Sequence, residues 1–274
     1  MKIGIFIAAG VIFVAFLAWR RLSKPTFQLP SSAIAQTRAT ASPTANPTPP
    51  EDLKVWLFAD KPLEEIGRRR DVSSRAEADD PWHLFASALS ASQQSNVAEA
   101  KKNLRHVVAL SGVETRIRLL AWNALRELGE KPDASIANEV QGVVLELHNE
   151  AGVGTVAAYI DGRARCLGGQ GKVIIWEAPD SDAEISTLIK RFLRLAQPLV
   201  MRAPSLKRHN PSEPKLNHVR ASLLTYGGIH IVEVFGPEII DEKHFMAPTL
   251  MASSELLHAL TQKTDDGGEK LDPR

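Results

Sequence analysis

The chain has 274 residues, 24% of them charged and 44% hydrophobic, with a formal net charge of +1. That is the balance of a globular protein, and acids and bases so mixed along the chain supply no basic field to hold nucleic acid. A single cysteine, Cys166, excludes an internal disulfide framework, and the lack of CxxC and HExxH spacings removes the common zinc patterns, so no metal or cofactor is expected.

The first element is apolar. Residues Ile3 to Trp19 form 17 positions without a charge, preceded by Lys2 and followed by Arg20, Arg21 and Lys24. As a helix this run spans about 26 Å, enough for a bilayer core at the short end, and Trp19 stands where an interfacial aromatic belongs. A cleaved secretory signal would need a small-x-small site directly after the run. The chain offers Ala18-Trp19-Arg20-Arg21 there, and Ala33-Ile34-Ala35 comes too far downstream. Residues 1–21 therefore read as an uncleaved, single-pass anchor that meets the lipid bilayer through residues 3–19. The basic excess lies after the run, which puts the body in the cytoplasm rather than outside it.

Residues 22–50 end in TRATASPTANPTPP. A stretch so rich in Pro, Thr, Ala and Ser buries too little to offset the entropy of ordering, and its prolines favour extended backbone. It reads as a disordered leash that reaches about 90 Å at full extension.

From 51 to 135 the apolar period is helical. A short helix is expected over Pro62–Arg69. Asp80-Pro81 is an N-cap followed by proline at the first helical position, and Asn96 with Glu99 opens the next helix. Ser111-x-x-Glu114 has the form of a capping box, and Gly129 closes the helix that carries Ile117, Leu120, Ala121, Ala124 and Leu128. Tight connections predict stacked antiparallel hairpins. Trp82 and Trp122 read as core, and Arg68-Arg69-Arg70 as a solvated face.

From 136 to 262 the period becomes that of strands and then mixed. Strands are expected at Val140–His148, Gly154–Ile160, Arg163–Cys166 and Lys172–Glu177, with Asp161-Gly162 as a hairpin turn. The Leu167–Lys172 stretch fails the phosphate-loop pattern and reads as a flexible turn. Ser181-x-x-Glu184 should cap a helix whose Ile185, Leu188, Ile189, Phe192 and Leu195 face inward. A polar loop over 201–216 precedes strands at His218–Thr225 and Ile229–Phe235, joined at Gly227-Gly228, and a last helix covers Ser254–Thr261. Residues 263–274 read as a disordered tail. The fold class is α+β: a transmembrane helix, a small helical bundle, then an antiparallel sheet of about six strands with helices packed on one face.

Projecting these strands leaves one apolar face and one that collects Glu146, His148, Tyr159, Arg163, Arg165, Trp176, His218, Arg220 and His230. Arginine and aromatic side chains are what protein interfaces use as anchors, so this face is the candidate binding surface for a protein partner. An ordinary solvated face with cross-strand ion pairs would look the same. Cys166 phases with Ala164, away from Arg163 and Arg165, and reads as a buried thiol. With no recognisable catalytic motif, the chain reads as a membrane-anchored binding or scaffold protein rather than an enzyme. The alternative is a tethered enzyme, such as a hydrolase using His148 or His230 as base, with its site on the same polar face.

Overall fold

The computed structural model describes residues 51–68, 79–168, 172–177, 181–206, 212–241 and 243–266. Residues 1–21 and 22–50, expected as anchor and leash, the Gly169–Gly171 part of the glycine-rich turn, Arg69 and Arg70 lie outside the described residues. No helix among the described residues is long and apolar enough to cross a membrane.

Two short helices, α1 (Glu51–Leu57) and α2 (Leu63–Ile66), precede three helices of thirteen residues each: α3 (Pro81–Gln93), α4 (Val97–Ala109) and α5 (Thr115–Glu127). Local chemistry sets most of these ends. The Asp80 carboxylate accepts from the N–H groups of Trp82 and His83, with Pro81 at the first helical position, and the Asn96 side chain accepts from Glu99 N. Gly129, at φ +83°, follows the end of α5 as the sequence predicts. The start of α5 differs from expectation. It begins at Thr115, Glu114 makes no capping bond, and the Thr115 N–H instead donates to Asp161 Oδ2 at 2.7 Å, a carboxylate from the sheet. The cap is tertiary, so the local Ser111-x-x-Glu114 pattern is not the one used.

The remainder builds one antiparallel sheet with the strand order β4-β3-β2-β1-β6-β7-β5. The strands are β1 (Val140–Asn149), β2 (Gly152–Tyr159), β3 (Ala164–Leu167), β4 (Val173–Trp176), β5 (Ser205–Leu206), β6 (His218–Thr225) and β7 (Gly228–Phe235). The seventh strand, β5, sits inside the expected polar loop; two residues are too few to show a period. It pairs Ser205 with His230 and Leu206 with Ile229. The β6–β7 turn is Tyr226-Gly227, one residue earlier than the glycine pair suggests, because Gly228 already pairs with Thr225. A side chain at Gly228 would drive into Ser205 and Leu206 at a φ of +144°, so glycine is required where β5 crosses.

Two further helices complete the chain. α6 (Ala183–Ala196) is capped by Asp182, which accepts from Glu184 N and Ile185 N, rather than by Ser181. α7 (Ala247–Asp266) has 20 residues, two and a half times the expected length, and takes in the first residues of the expected tail.

The sheet is covered on both faces, which corrects the expectation of helices on one face. Val143, Leu145, Val156, Ala158, Cys166, Leu223 and Val232 pack under Ile185, Ile189 and Phe192 of α6 and Leu256 and Leu260 of α7. On the other face Val144, Ala157, Tyr159, Leu167, Leu224 and Ile229 share one apolar cluster with Leu57, Phe85, Leu104, Leu120 and Leu125 of the leading helices. The face that reads as polar from sequence is thus the floor of a helix–sheet interface.

Candidate functional site

Register decides which candidate residues meet. Glu146 stands opposite Arg220, and Arg220 opposite Glu233, so a carboxylate, a guanidinium and a second carboxylate cross β1, β6 and β7 in a row. His148 and His218 lie further along the same face, and Tyr159 and Arg165 toward its β2–β3 side. Trp176 and His230 are on the other face. Trp176 pairs with Ala164 and packs into the α6–α7 core, and His230 pairs with Leu223. Both strands are apolar in each phase, Ile174/Ile175 in β4, where Ile175 is exposed, and Ile231/Val232 in β7, where both faces are covered. Period two then gives no direction, and the shared face expected for these two residues is not formed.

The first cluster surrounds Glu146, which is 1% exposed. Lys54 Nζ from α1 reaches its Oε1 at 2.9 Å, and Arg220 Nη1 stands 4.0 Å from Oε2, an atom with no hydrogen-bond partner among the described residues. Arg220 is itself held by the Glu233 carboxylate at 2.7–2.8 Å and by the carbonyls of Ser212 and Glu213. Burial works against ionisation of Glu233, but the Lys215 N–H and the Arg220 guanidinium outweigh it and hold the acid below the usual glutamate range. An open cleft beside it is lined by Lys215, His218, Glu233, Phe235 and Glu238.

The second cluster gathers at the β2–β3 turn. The Tyr159 ring is fully buried, opposite Gly142, where a Cβ would come within 2.7 Å of it. Its hydroxyl donates to the Leu57 carbonyl of α1 at 2.7 Å, and the Arg116 guanidinium lies 5.6 Å over the ring. Burial pushes the Tyr159 phenol well above its ordinary range, against the pull of Arg116 and Arg165. Arg163, in the turn, donates to Asp161 Oδ2 at 3.1 Å and to Glu177 Oε2 at 3.0 Å. Arg165, 2% exposed, donates Nη1 to the carbonyls of Ala164 (2.8 Å) and Trp176 (3.1 Å) and Nη2 to Glu177 Oε1. Burial, and then the nearby Arg116 charge, lower the Arg165 pKa from its ordinary value.

The two histidines proposed as bases do not meet. His148 Nδ1 donates to Pro214 O at 2.7 Å on one face, and His230 Nδ1 donates to Ala203 O at 2.8 Å on the other. Cys166 is buried with the α6–α7 core, and burial pushes its thiol up to about 12. Among the described residues no group of three His, Cys, Asp or Glu side chains comes together to hold a metal ion.

Sequence reasoning missed Lys54, Arg116, Asp161, Glu177 and Glu233. Asp161 carried a signal as the turn residue, and Glu233 as a charge in phase with Ile231 and Phe235. Lys54 carried none, because its partner lies 92 positions away in sequence. No family model, curated protein or solved structure matches this chain.

Proposed function

We propose that this chain is a membrane-anchored, non-enzymatic binding or scaffold protein that presents its folded body to a protein partner on the cytoplasmic side of the bilayer. The uncharged run Ile3–Trp19 with its basic flank and the Pro/Thr/Ala-rich 22–50 segment support the tether. A leash of this kind raises the local concentration of the body near the membrane without a new contact.

The observation that carries the reading is where the reactive-type side chains are spent. Glu146 is bound by Lys54, Tyr159 by Leu57, Arg220 by Glu233, and His148 and His230 by backbone carbonyls on opposite faces. These groups fasten α1, neighbouring strands and loops to one another, which favours a rigid presenting body over the hydrolase alternative with a shared histidine–carboxylate site.

The test is fractionation with a topology reporter at the C-terminus, followed by cross-linking in intact membranes. The chain is expected to resist alkaline carbonate and to need detergent for release. Its reporter should be active in the cytoplasm, and a cross-linked partner should be lost when the chain starts at residue 51. A mature chain that begins beyond residue 24 and washes off the membrane, or a membrane-bound chain with no partner, would overturn the proposal.

A further inference from the structure

The turn and edge strand at the β3–β4 side of the sheet hold a group of donors arranged around an oxyanion. Two guanidiniums grip one carboxylate: Arg163 Nε donates to one oxygen of Glu177 at 3.0 Å, and Arg165 Nη2 donates to the other. The donors are fixed by the fold. Arg165 is 3% exposed at its side chain and is braced on the carbonyls of Ala164 and Trp176. Arg163 is 25% exposed and is braced on Asp161, which in turn accepts the first N–H of α5. The acceptor is not fixed in this way. Glu177 follows the last residue of edge strand β4, and its side chain is 53% exposed. A buried, desolvated arginine is costly to keep, and a half-exposed glutamate repays little of that cost. The same donors facing a carboxylate that a partner brings and shields from water make charge-assisted hydrogen bonds with no solvent competing for them.

Beside the fork stands one exposed aliphatic side chain. Ile175, directly opposite Arg165 in the β3–β4 ladder, is 41% exposed. An aliphatic side chain next to a buried and a part-buried arginine is a composition that interface anchors use.

We infer that Arg163 and Arg165 form an oxyanion-binding fork that Glu177 occupies as an internal stand-in, and that its ligand is an Asp or Glu carboxylate, next to an apolar residue, on an acidic segment of a partner protein. This rests on the partner-binding reading above and names the partner's chemistry. Free phosphate shares that chemistry and is separated by the test.

The experiment follows the fluorescence anisotropy of a labelled hexaglutamate peptide titrated with the full-length chain in detergent at fixed low salt. Glu177→Gln removes the internal competitor and is expected to tighten binding about threefold, the scale of one exposed ion pair. Arg163→Gln should weaken it about fivefold, and Arg163→Lys, which keeps the charge but not the planar fork, should weaken it as well. Glu99→Gln and Lys102→Gln, which make the same charge changes on α4, should leave it unmoved, and circular dichroism melts check that each variant is folded. Equal tightening by Glu99→Gln and Glu177→Gln, or wild-type binding by folded Arg163→Gln, would overturn the fork. Inorganic phosphate that binds Glu177→Gln while hexaglutamate does not would overturn the protein carboxylate as ligand. Because the titration uses solubilised protein, its result is independent of the carbonate wash: the fork can stand while the tether falls, or the reverse.

Discussion

The two faces of the sheet are closed by different chemistry. Under α6 and α7 the contact is mainly apolar side chain against apolar side chain, with Ile185, Ile189 and Phe192 standing over Val143, Val156 and Ala158, and its polar links, the Val140 N–H to Gln197 and His230 to the Ala203 carbonyl, lie past the end of α6. Under the leading helices an apolar patch is ringed by polar fasteners: Lys54 to Glu146, Tyr159 to the Leu57 carbonyl, Thr115 to Asp161 and Arg126 to the Tyr226 carbonyl at 2.6 Å. The first face gains from area removed from water and from close packing. The second depends on direction, because each buried polar group that loses its partner keeps the cost of desolvation. A helix layer can thus be held as much by where its donors point as by how much surface it hides.

That contrast can be broken in graded steps. Phe192→Ala, deep in the apolar face, should cost about 3–5 kcal/mol in urea unfolding of the full chain through lost packing and a residual cavity. A loss below about 1 kcal/mol would mean that the α6 contact is not a tight core. Lys54→Met leaves the Glu146 carboxylate buried beside a distant Arg220 and should cost about 1–3 kcal/mol, since Lys54 is itself partly solvated. Glu146→Gln in the same background should recover part of this loss, and a double-mutant cycle measures the coupling; additive effects would show that the pair does not hold α1.

Tyr159→Phe keeps the ring and removes only the donor to Leu57, for a cost of about 1 kcal/mol. Hydrogen exchange should show faster opening of α1 than of α6, and equal protection of both would remove the distinction between the faces. The smallest effect is on the surface of the α6–α7 layer. The Lys263 ammonium and then the Ile185 N–H hold Asp182 below the ordinary aspartate range. A carboxylate depressed in the folded state adds stability above its unfolded pKa, and that share is lost as the pH falls through the folded value. Asp182→Asn should therefore flatten the stability profile below about pH 4 and leave its shape near pH 7 unchanged. Identical acid limbs in the two proteins would show that the Lys263–Asp182 pair makes no contribution.

The same contrast explains what could be read from the sequence. The α6 stripe, the Asp80 and Asn96 caps, the Asp161-Gly162 turn and the outline of six strands are local signals, and they correspond to elements of the fold. The covering of the second face was not legible, because Glu146, Tyr159 and Arg165 spaced along strands look the same whether they meet solvent or a helix. The faces of Trp176 and His230 cannot be read from period two, because neighbouring residues in β4 and β7 are apolar in both phases. Two-residue β5 and the tertiary cap of α5 leave no periodic trace at all. Of the candidate surface, the sequence supplied Arg163 and Arg165 but not the Glu177 between them.

The fastening of α1 also fixes an order of events as the chain is made. The Leu57 carbonyl waits for a hydroxyl 102 positions later, and Lys54 for a carboxylate on β1, whose own neighbour β6 is finished only at Thr225. Closing loops of that size must precede any gain from the contacts they bring together. The first helix among these elements therefore cannot be fastened before Tyr159 has been made, whatever its own helical propensity.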